Sequence, residues 1–211
     1  MFKRSIIILL AAVMLTSSVA CSKKTATEAP ADTGTVPTAP AKQEPKFKIP
    51  EDAVLTDTQR EAAESAQQHL EVGVSKAKLT QALLDEGYSQ EDIVYAVDIF
   101  NIDWMEMARG TAEFYTYYMP FSYQGIIDHL IYMEFTPEEA QYGADQLEID
   151  WNSMAKKYIE KYFSYHTYTD KELEEELVKA GFTKEQAQQG IKEYNDAMAE
   201  DSKLREELGL D

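Results

Sequence analysis

The stretch from Ser75 to Tyr118, SKAKLTQALLDEGYSQEDIVYAVDIFNIDWMEMARGTAEFYTYY, decides the fold because most of its landmarks recur. Ser75, Tyr88, Tyr95, Asp98 and Trp104 reappear 47 residues later as Ser122, Phe135, Tyr142, Asp145 and Trp151. A second step of the same length reaches Thr169, Phe182, Gln189 and Lys192, then Met198 where a Trp would stand. Self-similarity at a fixed period of this size predicts an array of like units, each burying its apolar face against the next. The copies run near residues 75–119, 122–166 and 169–200, and the third is degenerate at its end.

Within each copy the local chemistry predicts two short helices. Ser75, Ser122 and Thr169 each follow an apolar residue (Val74, Phe121, Tyr168), which is the pattern of an N-cap behind a hydrophobic staple. Apolar pairs four residues apart follow: Leu79 with Leu83, Ile126 with Leu130, Leu173 with Leu177. Gly87 and Gly181 end two of these helices, as expected of a residue beyond a C-terminus, and Glu134 breaks the rule in the middle copy. The second helices start at Ser89, Thr136 and Thr183, with Pro137 at a first helical position. Tyr88, Phe135 and Phe182, one residue earlier, should plug the corner between the two helices. Ala96, Gly143 and Gly190 are small where the closest helix approach is expected.

Ile102-Asp103-Trp104 and its copy Ile149-Asp150-Trp151 leave two readings open. Asp103 and Asp150 could cap a new helix, or one long helix could run through them, because the apolar phase continues. Either way the segments after Trp104 and Trp151 connect one helical pair to the next. Thr58 to Val72 reads as the back half of such a connector, and Lys203 to Asp211 as a closing segment at the other end. The fold class expected is all-α: tandem helix-turn-helix-like repeats joined by longer connecting helices.

Residues 1–20 combine Lys3 and Arg4 with an apolar run from Ile6 to Leu15 and a small-residue end, which is the make-up of an export signal. Ser18-Val19-Ala20-Cys21 resembles the lipobox of bacterial lipoproteins, which makes Cys21, the sole Cys, the expected lipidation site and membrane anchor. Residues 21–50 hold five of the seven prolines and one aromatic, Phe47, so they read as a disordered tether. Fully extended at about 3.1 Å per residue, it would reach some 90 Å from the bilayer. Residues 51–211 form the helical repeat region.

That region carries 13 basic and 35 acidic residues, a formal charge of −22 within a chain of −18. Such a potential repels nucleic acid and anionic headgroups and favours basic partners. The second helix of each copy opens with carboxylates at Glu91 and Asp92, Glu138 and Glu139, or Glu185, which are the candidate partner-binding residues. A DNA reader would need lysine and arginine at those places, so no nucleic-acid partner is expected.

Chemistry is not signalled. His69, His129 and His166 share no ligand spacing, and the carboxylates near Asp98 and Asp145 form no loop of alternating oxygen ligands, so no metal or cofactor is expected. Neither a G-x-S-x-G elbow nor a Gly-rich phosphate loop is present, and an enzyme is not expected. Tyrosines cluster at Tyr115, Tyr117, Tyr118, Tyr123 and Tyr132, and again at Tyr158, Tyr162, Tyr165 and Tyr168. Most are expected to fill grooves between repeats. The others would suit protein or glycan recognition.

The phrases from Gly87-Tyr88-Ser89 to Tyr95-Ala96-Val97-Asp98, with Asp103-Trp104 and the copies Tyr142-Gly143-Ala144-Asp145 and Asp150-Trp151, resemble the Ltp family of host cell surface-exposed lipoproteins. The likeness spans roughly Glu64 to Tyr194, and the third copy departs from it at Gln189 and Lys192. The resemblance implies tandem helix-turn-helix repeats outside the membrane. For phage-encoded members it implies superinfection exclusion, the blocking of incoming phage DNA by engagement of injection proteins. The alternative is a structural or wall-binding envelope lipoprotein.

Overall fold

The computed structural model describes residues 47–165 and 167–210, and among these the chain forms nine helices and no strand. They are α1 (Asp57–Leu70), α2 (Lys76–Asp85), α3 (Gln90–Asp98), α4 (Trp104–Tyr118), α5 (Tyr123–Tyr132), α6 (Pro137–Asp145), α7 (Trp151–Tyr162), α8 (Asp170–Lys179) and α9 (Lys184–Leu208). The predicted all-α class and its pairing of short helices with longer connectors are what the structure shows. The signal segment, Cys21 and the tether up to residue 46 lie outside the described residues, as does His166.

Asp103 and Asp150 settle the open question at the connectors. Each adopts extended backbone as an N-cap, Asp103 accepting from the amides of Met105 and Glu106 and Asp150 from that of Asn152. The preceding helices therefore stop at Asp98 and Asp145, and new ones begin at the tryptophans. Thr56, 47 residues before Asp103, does the same for α1 and closes a capping box with Gln59. In the third copy Ala197 stands where the Asp would be. It offers no capping oxygen, and α9 runs on without a break for 25 residues.

Packing groups the helices as connector plus following pair. Connector α1 packs on α3, α4 on α6 and α7 on α9, while α2, α5 and α8 fill the third side of each bundle. These three-helix modules are out of phase with the sequence copies, which begin one helix later. At the crossings the small residues do what their size suggests. A β-carbon on Gly143 would stand 2.9 Å from the backbone of Ala108, and one on Gly190 2.6 Å from Cβ of Ala155. Ala96 is 1 % exposed, in α3, which packs on the alanine face of α1 (Ala62, Ala63, Ala66). Leu79, Leu83, Ile126, Leu130 and Leu177 are fully buried, each contributing about 1.5–3 kcal/mol by leaving water.

The turn between the paired helices is the same in all three modules. The amides of Tyr88, Phe135 and Phe182 bond to the carbonyls of Leu83, Leu130 and Leu177, and those of Gly87, Glu134 and Gly181 to Leu84, Ile131 and Val178. This Schellman pairing demands a left-handed residue, with φ of 96° at Gly87, 90° at Gly181 and 65° at Glu134. The middle turn is therefore built like the others, with a side chain in a region that costs L-residues about 1–2 kcal/mol.

Two boundaries differ from the sequence reading. Phe47 and Ile49, assigned to the tether, pack against the core, and Phe47 meets Phe100 edge-on at 6.2 Å. Composition hid this because two apolar side chains are few among the prolines. At the other end, residues 203–210 close nothing. Every one is exposed, Leu204 and Leu208 included, because this charged stretch extends α9 past its last partner helix.

Candidate functional site

The repeat signature resolves into packing and hydrogen bonding. Phe135 and Phe182 are 3 % exposed and plug the helix corners; Tyr88 is half-buried, with its hydroxyl directed at the carbonyl of Glu61 (3.2 Å). Tyr142 donates to Glu106 at 2.7 Å, and the same carboxylate holds the Arg109 guanidinium at 2.8 Å, which joins α6 to α4. The bond to Glu106 raises the Tyr142 phenol above its ordinary range. Asp145 accepts from Tyr123 and Gln141, and those bonds lower its carboxyl. Trp151 meets Tyr123 edge-on at 5.6 Å and touches the cores of both the second and the third modules. Trp104 is half-buried against the first of these cores. Tyr95 and Asp98 stay exposed and line a shallow groove with Val94 and Ile99.

The acidic candidates divide into two kinds. Asp92 accepts from the hydroxyls of Ser89 and Thr58, and Glu139 returns the capping bond of Thr136, so both carry part of the helix starts. Glu91, Glu138 and Glu185 point to solvent in the first turns of α3, α6 and α9, where the helix dipole favours a negative charge. One carboxylate per module is therefore exposed at each of these starts.

Adjacent modules meet through apolar packing, one core running through the first two and Trp151 bridging to the third, and through small and polar contacts as well. Gly73 lies so near Thr111 that a β-carbon would stand 2.8 Å from its Oγ1. Ser122 donates to the Ala180 carbonyl at 2.6 Å. Lys161 of α7 donates to the Tyr118 carbonyl at 3.3 Å.

Sequence reasoning named the tyrosines singly and missed how they join. Tyr115, Tyr123 and Tyr158 are half-buried as groove fillers, whereas Tyr117, Tyr118, Tyr132 and Tyr165 are 51, 53, 78 and 87 % exposed. Rings touch in series from Tyr117 to Tyr118 (4.9 Å), Phe114 (4.9 Å), Tyr115 (5.5 Å) and His129 (4.4 Å), and on to Tyr132 (6.4 Å). His129 sits inside this series with a buried Nε2 that has no hydrogen-bond partner among the described residues. Burial, and secondarily the charge of Lys78, lowers its pKa. The spacing of Phe114, Tyr117 and Tyr118 was a readable signal of one helical face. The crossing to α5 was not, since it joins residues on different helices.

Among the described residues no helix is long and apolar enough to cross a membrane, and no group of three or more metal-ligating side chains converges. No curated protein and no solved structure matches the chain. A family model does match, over residues 103–147, from the cap of α4 through the second module to just past the end of α6. The family it describes is the Ltp-type host cell surface-exposed lipoproteins, and it is to these that this segment of the chain is similar.

Proposed function

We propose that the chain is a lipid-anchored binding module displayed on the outer face of the cell membrane, where its acidic helices capture a basic protein partner. The observation that carries this reading is the family match over residues 103–147, which supports a cell-surface lipoprotein. Charge supports the nature of the partner, since a region with 35 acidic and 13 basic residues attracts cations and repels polyanions. Anchoring is assigned to Cys21, with Glu91, Glu138 and Glu185 among the carboxylates that face the partner. In the sharper form of the proposal the partner is an injection protein of an incoming phage, and capture stops delivery of the phage genome.

Expression in a phage-sensitive host tests this form. Fewer genomes should reach the cytoplasm while adsorption stays the same. Undiminished delivery across a broad phage panel overturns it. The exposed rings of Tyr132 and Tyr165 favour a second reading, an envelope lipoprotein that stacks on wall sugars. Retention on purified wall that survives high salt would support that one.

A further inference from the structure

The acidic potential says what kind of partner is attracted, and the rings say where it seats. Phe114, Tyr117 and Tyr118 share the end of α4, each about half exposed, and ring contact carries through Tyr115 and His129 to Tyr132 on α5. One ring of this tract already holds a cation, and a second lysine bonds to its backbone. Lys78, from the preceding module, places Nζ 5.6 Å from the centre of the Tyr132 ring. Lys161, from the following module, stands 6.0 Å from the Tyr162 ring while bonding to the carbonyl of Tyr118. An ammonium or guanidinium over a ring face is drawn by the ring quadrupole, and arginine adds stacking area. Two exposed carboxylates adjoin the rings in sequence: Glu113, beside Phe114 and paired with Arg109 at 3.0 Å, and Glu134, two residues past Tyr132.

We propose that this tract is the docking face for an arginine- or lysine-rich polypeptide segment, whose cationic heads lie on the rings as Lys78 now lies on Tyr132, with Glu134 balancing their charge. The inference rests on the reading that the chain captures a basic partner, and it adds the place and the mode. Charge complementarity selects the occupant. A neutral glycan gains nothing from the surrounding carboxylates, and an anionic bilayer is repelled by them.

The test uses the full chain in detergent micelles and a labelled peptide of alternating Arg and Ala, with a Gln-for-Arg peptide as control. The triple variant Tyr117→Ser, Tyr118→Ser, Tyr132→Ser keeps the net charge and should bind the Arg peptide roughly tenfold more weakly or worse, the loss of a few exposed cation–ring contacts. Tyr132→Ser alone, at a highly exposed position, should weaken it measurably even where the triple variant loses helicity. Lys78→Gln should tighten binding more than Lys171→Gln, which removes the same charge from an exposed site on α8.

Equal binding by folded wild type and triple variant, or equal tightening by the two lysine variants, overturns the tract as the site and leaves the basic-partner reading standing. Failure of the wild type to prefer the Arg peptide over its Gln control removes both. Quenching of tyrosine emission by brominated lipids in reconstituted vesicles would place the rings in the bilayer and overturn the proposal.

Discussion

Ser122 donates its hydroxyl proton to the Ala180 carbonyl at 2.6 Å while accepting the Gly125 amide at 2.8 Å. One buried side chain therefore caps α5 and fastens it to the end of α8. Ser122→Ala should remove the cap, worth about 1 kcal/mol, and orphan a carbonyl at a further cost of about 1–2 kcal/mol. Ser75→Ala, which removes the cap bond to Lys78 on α2, should cost about 1 kcal/mol. Denaturant unfolding of the two variants checks this, and equal losses would show that the bond to Ala180 adds nothing.

Glycines at different places should respond with opposite signs. Gly143→Ala and Gly190→Ala each force a methyl into the backbone or side chain of the facing helix, and overpacking of this kind costs about 1–3 kcal/mol. Gly110 lies exposed in the interior of α4 with nothing within 4 Å of a new β-carbon, so Gly110→Ala should stabilise by about 0.5–1 kcal/mol. Thermal melts that moved all three in one direction would contradict the helix crossings described above.

Glu134 is the one left-handed residue of the three turns between paired helices that is not glycine. Glu134→Gly relieves the steric cost but frees the unfolded chain, and the balance should favour the folded state by about 0.5–1 kcal/mol. Gly87→Glu should do the reverse in the first module. A destabilised Glu134→Gly protein would mean that the carboxylate makes a contact worth more than the strain.

Caps, corner aromatics and small crossing residues act locally, so the roles of Ser89, Phe135 and Gly190 are legible in the sequence alone. The helix starts at Asp103 and Asp150 stayed ambiguous because capping chemistry and apolar phase disagreed there, and the cap prevailed. Module boundaries were displaced because sequence copies mark similarity and not which helices touch. The aromatic tract was the least legible, since Tyr115 and His129 meet across two helices and periodicity on either one is silent about the other. The emptiness around Leu204 and Leu208 was equally hidden, because an apolar pair at helical spacing reads alike whether or not a partner helix arrives.

His129 gives the fold a pH dependence of definite sign. Its pKa is lowered from the ordinary 6.5 by burial and by Lys78, so the unfolded chain binds its proton more readily than the folded one. This contribution to stability is complete above the unfolded pKa and is lost as pH falls from about 6.5 toward the folded value. His129→Leu should flatten the decline in stability between about pH 7 and 5. Urea titrations across that window check it, and an unchanged slope would show that another group is responsible.

The uninterrupted passage of α9 through Ala197 shows by contrast what a side-chain oxygen does at the two earlier places. Where Asp103 and Asp150 stand the polypeptide turns and begins a further bundle; where Ala197 puts a methyl instead, one helix carries on unbroken.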